Sequence, residues 1–262
     1  MTAGRATSTG AAGPSPQGEA GLSGLPLSGK VVLVTGASAG IGRATALALA
    51  QAGAKIIATG RRKPELDSLA RQCNGAAVET IPGDLNDARF AGDLAERARA
   101  VDILVNNAGV LKYAPLMDLT DTDCEDMFRT NVLASFRITM AVARSMARLR
   151  RGHIIIMTSI AAREVYRLGV IYCATKHALS AFARGLRIEL QGYGIKVTEI
   201  APGMVDTDIR AGSDHPSVIE AVKARKFEAL TPAEVADAVV YAAKAAPNCC
   251  PDLIELRPQG SA

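Results

Sequence analysis

Tyr172 and Lys176 stand four residues apart in a stretch of helical periodicity, and Ser159 closes an apolar, β-branched run just ahead of it. An i, i+4 pair shares one helix face, so an ammonium can sit beside a phenol. A free phenol has a pKa of about 10, a poor match for proton transfer near neutrality. A neighbouring cation stabilises the phenolate and lowers that value. A drop of about 3 units takes roughly 4 kcal/mol of differential stabilisation, part of which Lys176 could supply. The Ser159 hydroxyl could hold a substrate oxygen. Taken by itself, Tyr-x-x-x-Lys is most often just a pair on a helix surface.

A second set of residues points to a phosphate-bearing cofactor. Thr35-Gly36-Ala37-Ser38-Ala39-Gly40-Ile41-Gly42 follows the first apolar run and opens a helical pattern. Glycines here allow a tight turn and close backbone approach, and a helix N-terminus favours an anionic pyrophosphate. Any strand-to-helix turn would also favour glycine, but the position in the first β-α-β unit favours the dinucleotide reading. The second apolar run ends in Thr59-Gly60-Arg61-Arg62. An acidic residue at that strand end would bind ribose hydroxyls; Gly60 offers none, while Arg61 and Arg62 can pair with a 2′-phosphate. That favours NADP(H) over NAD(H), against the plainer reading of a solvated basic turn before Pro64. Asp84, followed by Leu85, suits either an adenine amino group or a helix cap. Asn106-Asn107-Ala108-Gly109 lets a backbone lie flat against a ligand, though it suits any tight turn.

These residues need elements to hold them. Apolar runs at 31–35, 55–59, 77–81, 102–106, 153–158, 196–200 and 252–256 read as strands, near-continuous in hydrophobicity and so buried on both faces of a parallel sheet. Helical patterns near 41–52, 64–73, 86–99, 120–150, 171–191 and 231–246 alternate with them. The order predicts a doubly wound α/β sheet whose strand C-termini share one ligand-binding edge. It forms a single domain over 29–262. Residues 1–28 differ: 21 of those 28 positions are Gly, Ala, Ser, Thr or Pro, which predicts a disordered tail.

With this order and spacing, the sequence resembles the short-chain dehydrogenase/reductase family from about Lys30 to Pro258. The residues that carry the likeness are the Gly-x-x-x-Gly-x-Gly turn at 36–42, Asn106-Asn-Ala-Gly109, Asn131, Ser159, Tyr172-Cys-Ala-Thr-Lys176 and Pro202-Gly203. The resemblance implies a Rossmann-type domain of about seven parallel strands with helices on both faces, and hydride transfer between a nicotinamide and a carbonyl or alcohol. It implies that Tyr172 is the general acid/base and that Ser159 anchors the substrate oxygen. Lys176 then lowers the Tyr172 pKa and holds the nicotinamide ribose. Asn131, as the fourth catalytic member, positions a water in a proton relay; read without the likeness, a mid-helix Asn is more often exposed or tied to a kink. Cofactor contacts are implied at Gly36, Ser38, Gly40, Ile41, Gly42, Arg61, Arg62, Asp84, Leu85, Asn107, Ala108, Gly109, Tyr172, Lys176, Pro202, Gly203, Val205 and Thr207. Two departures stand out. Ala162 occupies a position where the family commonly has Gly, and no basic residue lies inside the Gly-rich loop, so cofactor choice rests on Arg61 and Arg62.

The pattern places the substrate pocket at Val110 to Tyr113, Ile160 to Val170 and the segment after Gly203. Tyr166 lacks the i+4 relation to Lys176 and reads as pocket wall or core. Arg163 or Lys112 could attract an acidic substrate, though a solvated role is the plainer reading. The 230–238 and 252–258 segments resemble family branches acting on 3-hydroxy acids such as serine, or on clavulanate-pathway aldehydes. Composition narrows the remaining classes. With 48% hydrophobic and 21% charged residues the chain is ordinary and globular, and no apolar run is long enough for a membrane span. Five cysteines form no C-x-x-C pair and an odd count makes no disulfide framework; three scattered histidines offer no zinc spacing. These features predict a cytoplasmic protein without a metal. The Arg144, Arg148, Arg150 and Arg151 cluster lacks the aromatics a nucleic-acid site would use, since only 4% of residues are aromatic. The expectation is therefore an NADP(H)-dependent oxidoreductase of small molecules, assembled as a homodimer or homotetramer. The alternatives are an NAD-dependent alcohol or 3-hydroxy acid dehydrogenase, and a non-catalytic dinucleotide-binding sensor or scaffold.

Overall fold

Seven short strands whose residues alternate between two sets of helices form the centre of the computed structural model, which describes Met1, residues 27–73 and residues 76–261. The strands are β1 (Val31–Thr35), β2 (Lys55–Gly60), β3 (Val78–Pro82), β4 (Ile103–Asn106), β5 (Gly152–Met157), β6 (Ile195–Pro202) and β7 (Leu253–Leu256). All pair in parallel, in the order β3-β2-β1-β4-β5-β6-β7. The α/β class, the doubly wound sheet and all seven strand positions agree with the sequence expectation. Most of the expected tail lies outside the described residues. Leu27 is buried in the core, so the packed domain already includes this residue, ahead of the boundary at 29.

The period of two in each strand divides the core. Val32, Val34, Ile103, Val105 and Ile155 face one layer, formed by α1 (Gly40–Gln51), α2 (Lys63–Gln72) and, later in the chain, the helix Pro232–Lys244. Leu33, Leu104, Ile154 and Ile156 face the other, formed by α3 (Ala88–Arg97), Ser135–Leu149 and Val170–Leu190. With both faces covered, the parallel sheet needs near-continuous hydrophobic strands, as the sequence provides.

The stretch 120–150 departs from a simple helix. It consists of α4 (Asp121–Met127), a π-helical segment over Phe128–Ala134 and α5 (Ser135–Leu149). The helix Val170–Leu190 is α6, and Pro232–Lys244 is α8. Between them, α7 (Pro216–Lys223) was not visible as a periodic run because it is only eight residues long. It lies on a strap pinned at its base: Val205 bridges Leu230, the Asp206 N–H donates to the Leu230 carbonyl at 2.8 Å, and the Leu230 N–H donates to Met204 at 2.9 Å. Among the described residues no helix is long and apolar enough to cross a membrane.

One buried group makes the fold acid-sensitive. His153 is the second residue of β5, with its Nε2 at 2.8 Å from Thr198 Oγ1 and its Nδ1 unpaired among the described residues. Burial, reinforced by the Lys196 charge, pulls its pKa from 6.5 down to about 3. A base depressed in the folded state contributes stability above the unfolded pKa and loses it as pH falls toward the folded value. Urea midpoints of wild type and His153→Gln, followed from about pH 7 to pH 4, should show a loss below pH 6.5 that is smaller in the variant.

Candidate active site

The C-terminal ends of β1 and β4 meet at the point where the strand order reverses, and side chains sew the two loops together there. Thr35 Oγ1 accepts the N–H groups of Asn107 and Ala108 at 2.9 and 3.0 Å, while Asn107 Nδ2 donates to the Thr35 carbonyl at 3.0 Å. Asn106 Nδ2 ties the end of β4 to α5 through Thr139 Oγ1 at 2.8 Å. Thr35 and Asn106 belong to the motifs quoted from the sequence, but nothing there marked them as the ties between the two loops.

This junction leaves no room for side chains. Gly36 has φ +66°, and a Cβ there would stand 2.9 Å from Ala108 Cα. A Cβ on Gly42 would run into the Gly36 carbonyl and Asn107 Nδ2. Ala39 caps α1 without a side-chain hydrogen bond and the first turn holds no carboxylate, so its N–H groups remain open to an anion.

A cleft of about 390 Å³ opens beside that turn. Its lining brings together Gly36, Ser38, Gly40, Ile41, Gly42, Arg61, Arg62, Asp84, Leu85, Asn107, Ala108, Gly109 and Thr207, all of them sequence-predicted, and adds Asn86 and Thr130. Arg62 reaches back across the cleft, with Nε and Nη2 at 3.4 and 3.3 Å from Ser38 Oγ. The Asp84 carboxylate accepts the Asn86 N–H at 2.9 Å and caps no helix; α3 is capped by Asp87 instead.

A second cavity of about 320 Å³ adjoins the first and shares Ile41, Asn107, Gly109 and Val110 with it. Ser159, Tyr172 and Lys176 line it, as do Pro202, Gly203 and Val205. Ser159 Oγ donates to the Pro202 carbonyl at 3.2 Å and accepts the Ala161 N–H at 3.2 Å. Lys176 Nζ donates to the Met157 carbonyl at 3.1 Å and lies 5.6 Å from the centroid of the Tyr172 ring.

Burial dominates the titration of this pair. It pushes the Tyr172 phenol well above its ordinary value, with Tyr113 adding to the effect, while a Ser159 hydrogen bond and the Arg210 charge pull it back. Burial also draws Lys176 down to about 8. Burial, and not the Lys176 charge, is the largest influence on the Tyr172 phenol here. The ammonium is itself destabilised, with a single carbonyl as hydrogen-bond partner.

Asn131 is the one predicted catalytic or cofactor residue outside both cavities. It is fully buried in the π-helical segment. Its Oδ1 accepts the Val110 N–H at 2.8 Å, and its Nδ2 donates to the Val110 carbonyl at 2.9 Å and to Thr175 Oγ1 at 3.1 Å. Thr175 in turn donates to the Tyr172 carbonyl at 2.7 Å. The side chain thus clamps the loop after β4 to the helix that carries Tyr172. A wide turn at a functional cleft is a recurring use of π geometry.

Several pocket expectations change. Tyr166 does line the cavity, its hydroxyl 2.8 Å from that of Tyr113, whose ring packs edge-on against both Tyr166 and Tyr172. Arg163 is outside it, held by the buried Glu199 at 2.8 Å. Lys112 pairs with Asp214 at 3.3 Å and the Gly212 carbonyl at 2.6 Å. Neither cation faces the substrate cavity. The strap supplies what sequence reasoning missed: Arg210, Val218, Val222, Arg225 and Phe227. Only Pro216 at a helix start with Val218 and Val222 four apart hinted at it. Among the described residues no group of His, Cys, Asp and Glu could hold a metal.

Comparison with known proteins converges on one family. A family model described as short chain dehydrogenase matches residues 30–217. An uncharacterized oxidoreductase of Staphylococcus aureus is 34% identical over 220 residues, covering 82% of this chain and 91% of that protein. A serine dehydrogenase solved in a closed form with NADP+ superposes with a TM-score of 0.80 at 32% identity, over 86% of this chain and 93% of that one. A metagenomic short-chain oxidoreductase in complex with NADP gives 0.76 at 29% identity, over 90% and 99%.

Asn131→Ala should lower stability by about 1–3 kcal/mol in chemical denaturation, the cost of losing the hydrogen bonds of a fully buried side chain to the part-buried Val110 backbone and to Thr175. Hydrogen exchange at the Val110 amide should accelerate in that variant.

Proposed function

The chain belongs to the short-chain dehydrogenase/reductase family, and from that premise we propose an NADP(H)-dependent oxidoreductase acting on a carbonyl or secondary alcohol. The observation that carries the reading is Ser159, Tyr172 and Lys176 converging on one cavity that opens directly into the glycine-lined cleft. That cleft fits a dinucleotide. Its glycines sit where a Cβ would clash, and the uncapped start of α1 suits the pyrophosphate. Arg61 and Arg62 at the end of β2 suit a 2′-phosphate, and Arg62 already spans toward Ser38. Asp84 and Leu85 would border the adenine; Pro202, Gly203, Val205 and Thr207 would border the nicotinamide half. Two of the similar solved structures hold NADP.

When bound, the nicotinamide supplies or takes up the hydride. Ser159 Oγ and the Tyr172 hydroxyl hold the substrate oxygen, and in reduction Tyr172 Oη gives that oxygen its proton. A phenolate then forms beside Lys176. Burial opposes each charge alone, so their attraction counts mainly when both are present, which is when the reaction needs it. Asn131 keeps Val110 and Tyr172 in register and places a proton-relay water. The apolar side chains left exposed on the α5 and α6 side, Leu133, Met140 and Ile188, support a homodimer or homotetramer. The free cysteines among the described residues suit a cytoplasmic setting.

Titration of NADPH and NADH followed by nicotinamide fluorescence tests the cofactor. Wild type should prefer NADPH, and Arg61→Ala/Arg62→Ala should lose that preference. Equal binding of both cofactors, unchanged by the substitutions, would overturn the NADP(H) preference and open the search to NAD-linked alcohols. Tyr172→Phe should retain NADPH binding while turnover of a carbonyl substrate falls about 10²–10⁴-fold, the range for removing a general acid. Undiminished turnover would refute its role.

A further inference from the structure

The substrate cavity has an unusual charge distribution. Arg167, Lys176, Arg210 and Arg225 line it, and among the described residues no Asp or Glu does. Lys176 belongs to the reacting pair, and Arg167 stands at the exposed rim. Arg210 and Arg225 are different, because the strap brings both half-buried guanidinium groups to the same cavity from opposite sides of α7. Arg210 Nη2 donates to the Val205 carbonyl at 3.1 Å, and Arg225 Nε donates to the Val222 carbonyl at 2.9 Å, with Nη1 against the Met204 sulfur. Neither lies within ion-pair distance of a carboxylate among the described residues, whereas Arg163, Arg187 and Arg257 each have one. The two guanidinium groups also repel one another: burial and the charge of Arg210 together depress Arg225, with Asp206 only partly compensating.

Two like charges half-withdrawn from water, with N–H donors to spare, are costly unless an anion joins them. Arg forks suit a planar carboxylate in particular. The Arg210 charge also reaches the reacting end, since it acts on both Tyr113 and Tyr172. An anion held by the strap would therefore lie a short molecule's length from Tyr172, and a cavity of about 320 Å³ admits only a small one. We propose that Arg210 and Arg225 form a carboxylate subsite, so that the substrate is a small oxo or hydroxy acid whose carbonyl or alcohol lies at Tyr172 while its carboxylate faces the strap. The proposal rests on the oxidoreductase reading for the reacting end, but the anion subsite can be measured without turnover.

The experiment compares laevulinate with its methyl ester, by calorimetric binding to the protein held with saturating NADP+ and by NADPH oxidation. Wild type should favour the acid by about ten- to a hundredfold, the worth of hydrogen bonds to a charged group. In Arg210→Gln and Arg225→Gln the acid-to-ester ratio should fall toward one, and Arg225→Lys should recover part of it. Circular dichroism checks that each variant is folded. Equal affinity for acid and ester, an acid preference untouched by the substitutions, or binding of neither compound overturns the subsite. Arg-dependent binding of the acid with no NADPH oxidation would uphold the subsite and count against the oxidoreductase reading alone.

Discussion

Everything at the working edge of this protein depends on how closely two backbones approach where the sheet reverses its strand order. The turn after β1 and the loop after β4 approach so closely that neither Gly36 nor Gly42 has room for a Cβ. Thr35 then uses one hydroxyl to satisfy two N–H groups of the opposite loop. A crevice formed this way has polar main-chain walls and a narrow floor, which suits a flat, charged cofactor.

The reacting pair depends on the opposite kind of constraint. Tyr172 and Lys176 are both withdrawn from water, and each is held toward its neutral form by that withdrawal. In such surroundings a charge is expensive by itself and cheaper as a pair, so the chemistry becomes coupled: proton loss at the phenol favours retention of a proton at the amine. The aromatic cluster of Tyr113, Tyr166 and Tyr172 deepens this effect by keeping the phenol in an apolar wall. Asn131 contributes no charge at all. Its contribution is rigidity, through paired hydrogen bonds to Val110 and a link by way of Thr175 to the Tyr172 backbone.

How much of this was legible follows from the range of each signal. Strands buried on two faces announce themselves as apolar runs, and the Gly-rich turn, Ser159 and the Tyr172–Lys176 spacing are local patterns that the fold brings to one edge. Arg61 and Arg62 could be read because a strand end fixes where they project. Asn131 was legible as a residue but not in its geometry, since seven residues are too few for hydrophobic periodicity to tell a π segment from an α-helix. Arg163 and Lys112 were candidates for meeting an acidic substrate, and only tertiary partners, Glu199 and Asp214, show otherwise. Arg210, Arg225 and α7 were invisible for the same reason: nothing local distinguishes a cation aimed into a cavity from one in solvent.

The strap's pinned base also bears on how the protein can change over time. The bridge between Val205 and Leu230 closes the strap before it leaves the sheet, and its interior is tied to the loop after β4, at Lys112 and Tyr113, rather than to the strands. Closing such a loop costs entropy that grows only with the logarithm of its length, about 0.6 kcal/mol for a doubling. Insertions, deletions and new side chains between the two pins therefore leave the sheet almost undisturbed. Catalytic apparatus and substrate choice reside on parts of the chain that can drift separately, which is a modularity built into the wiring of the fold.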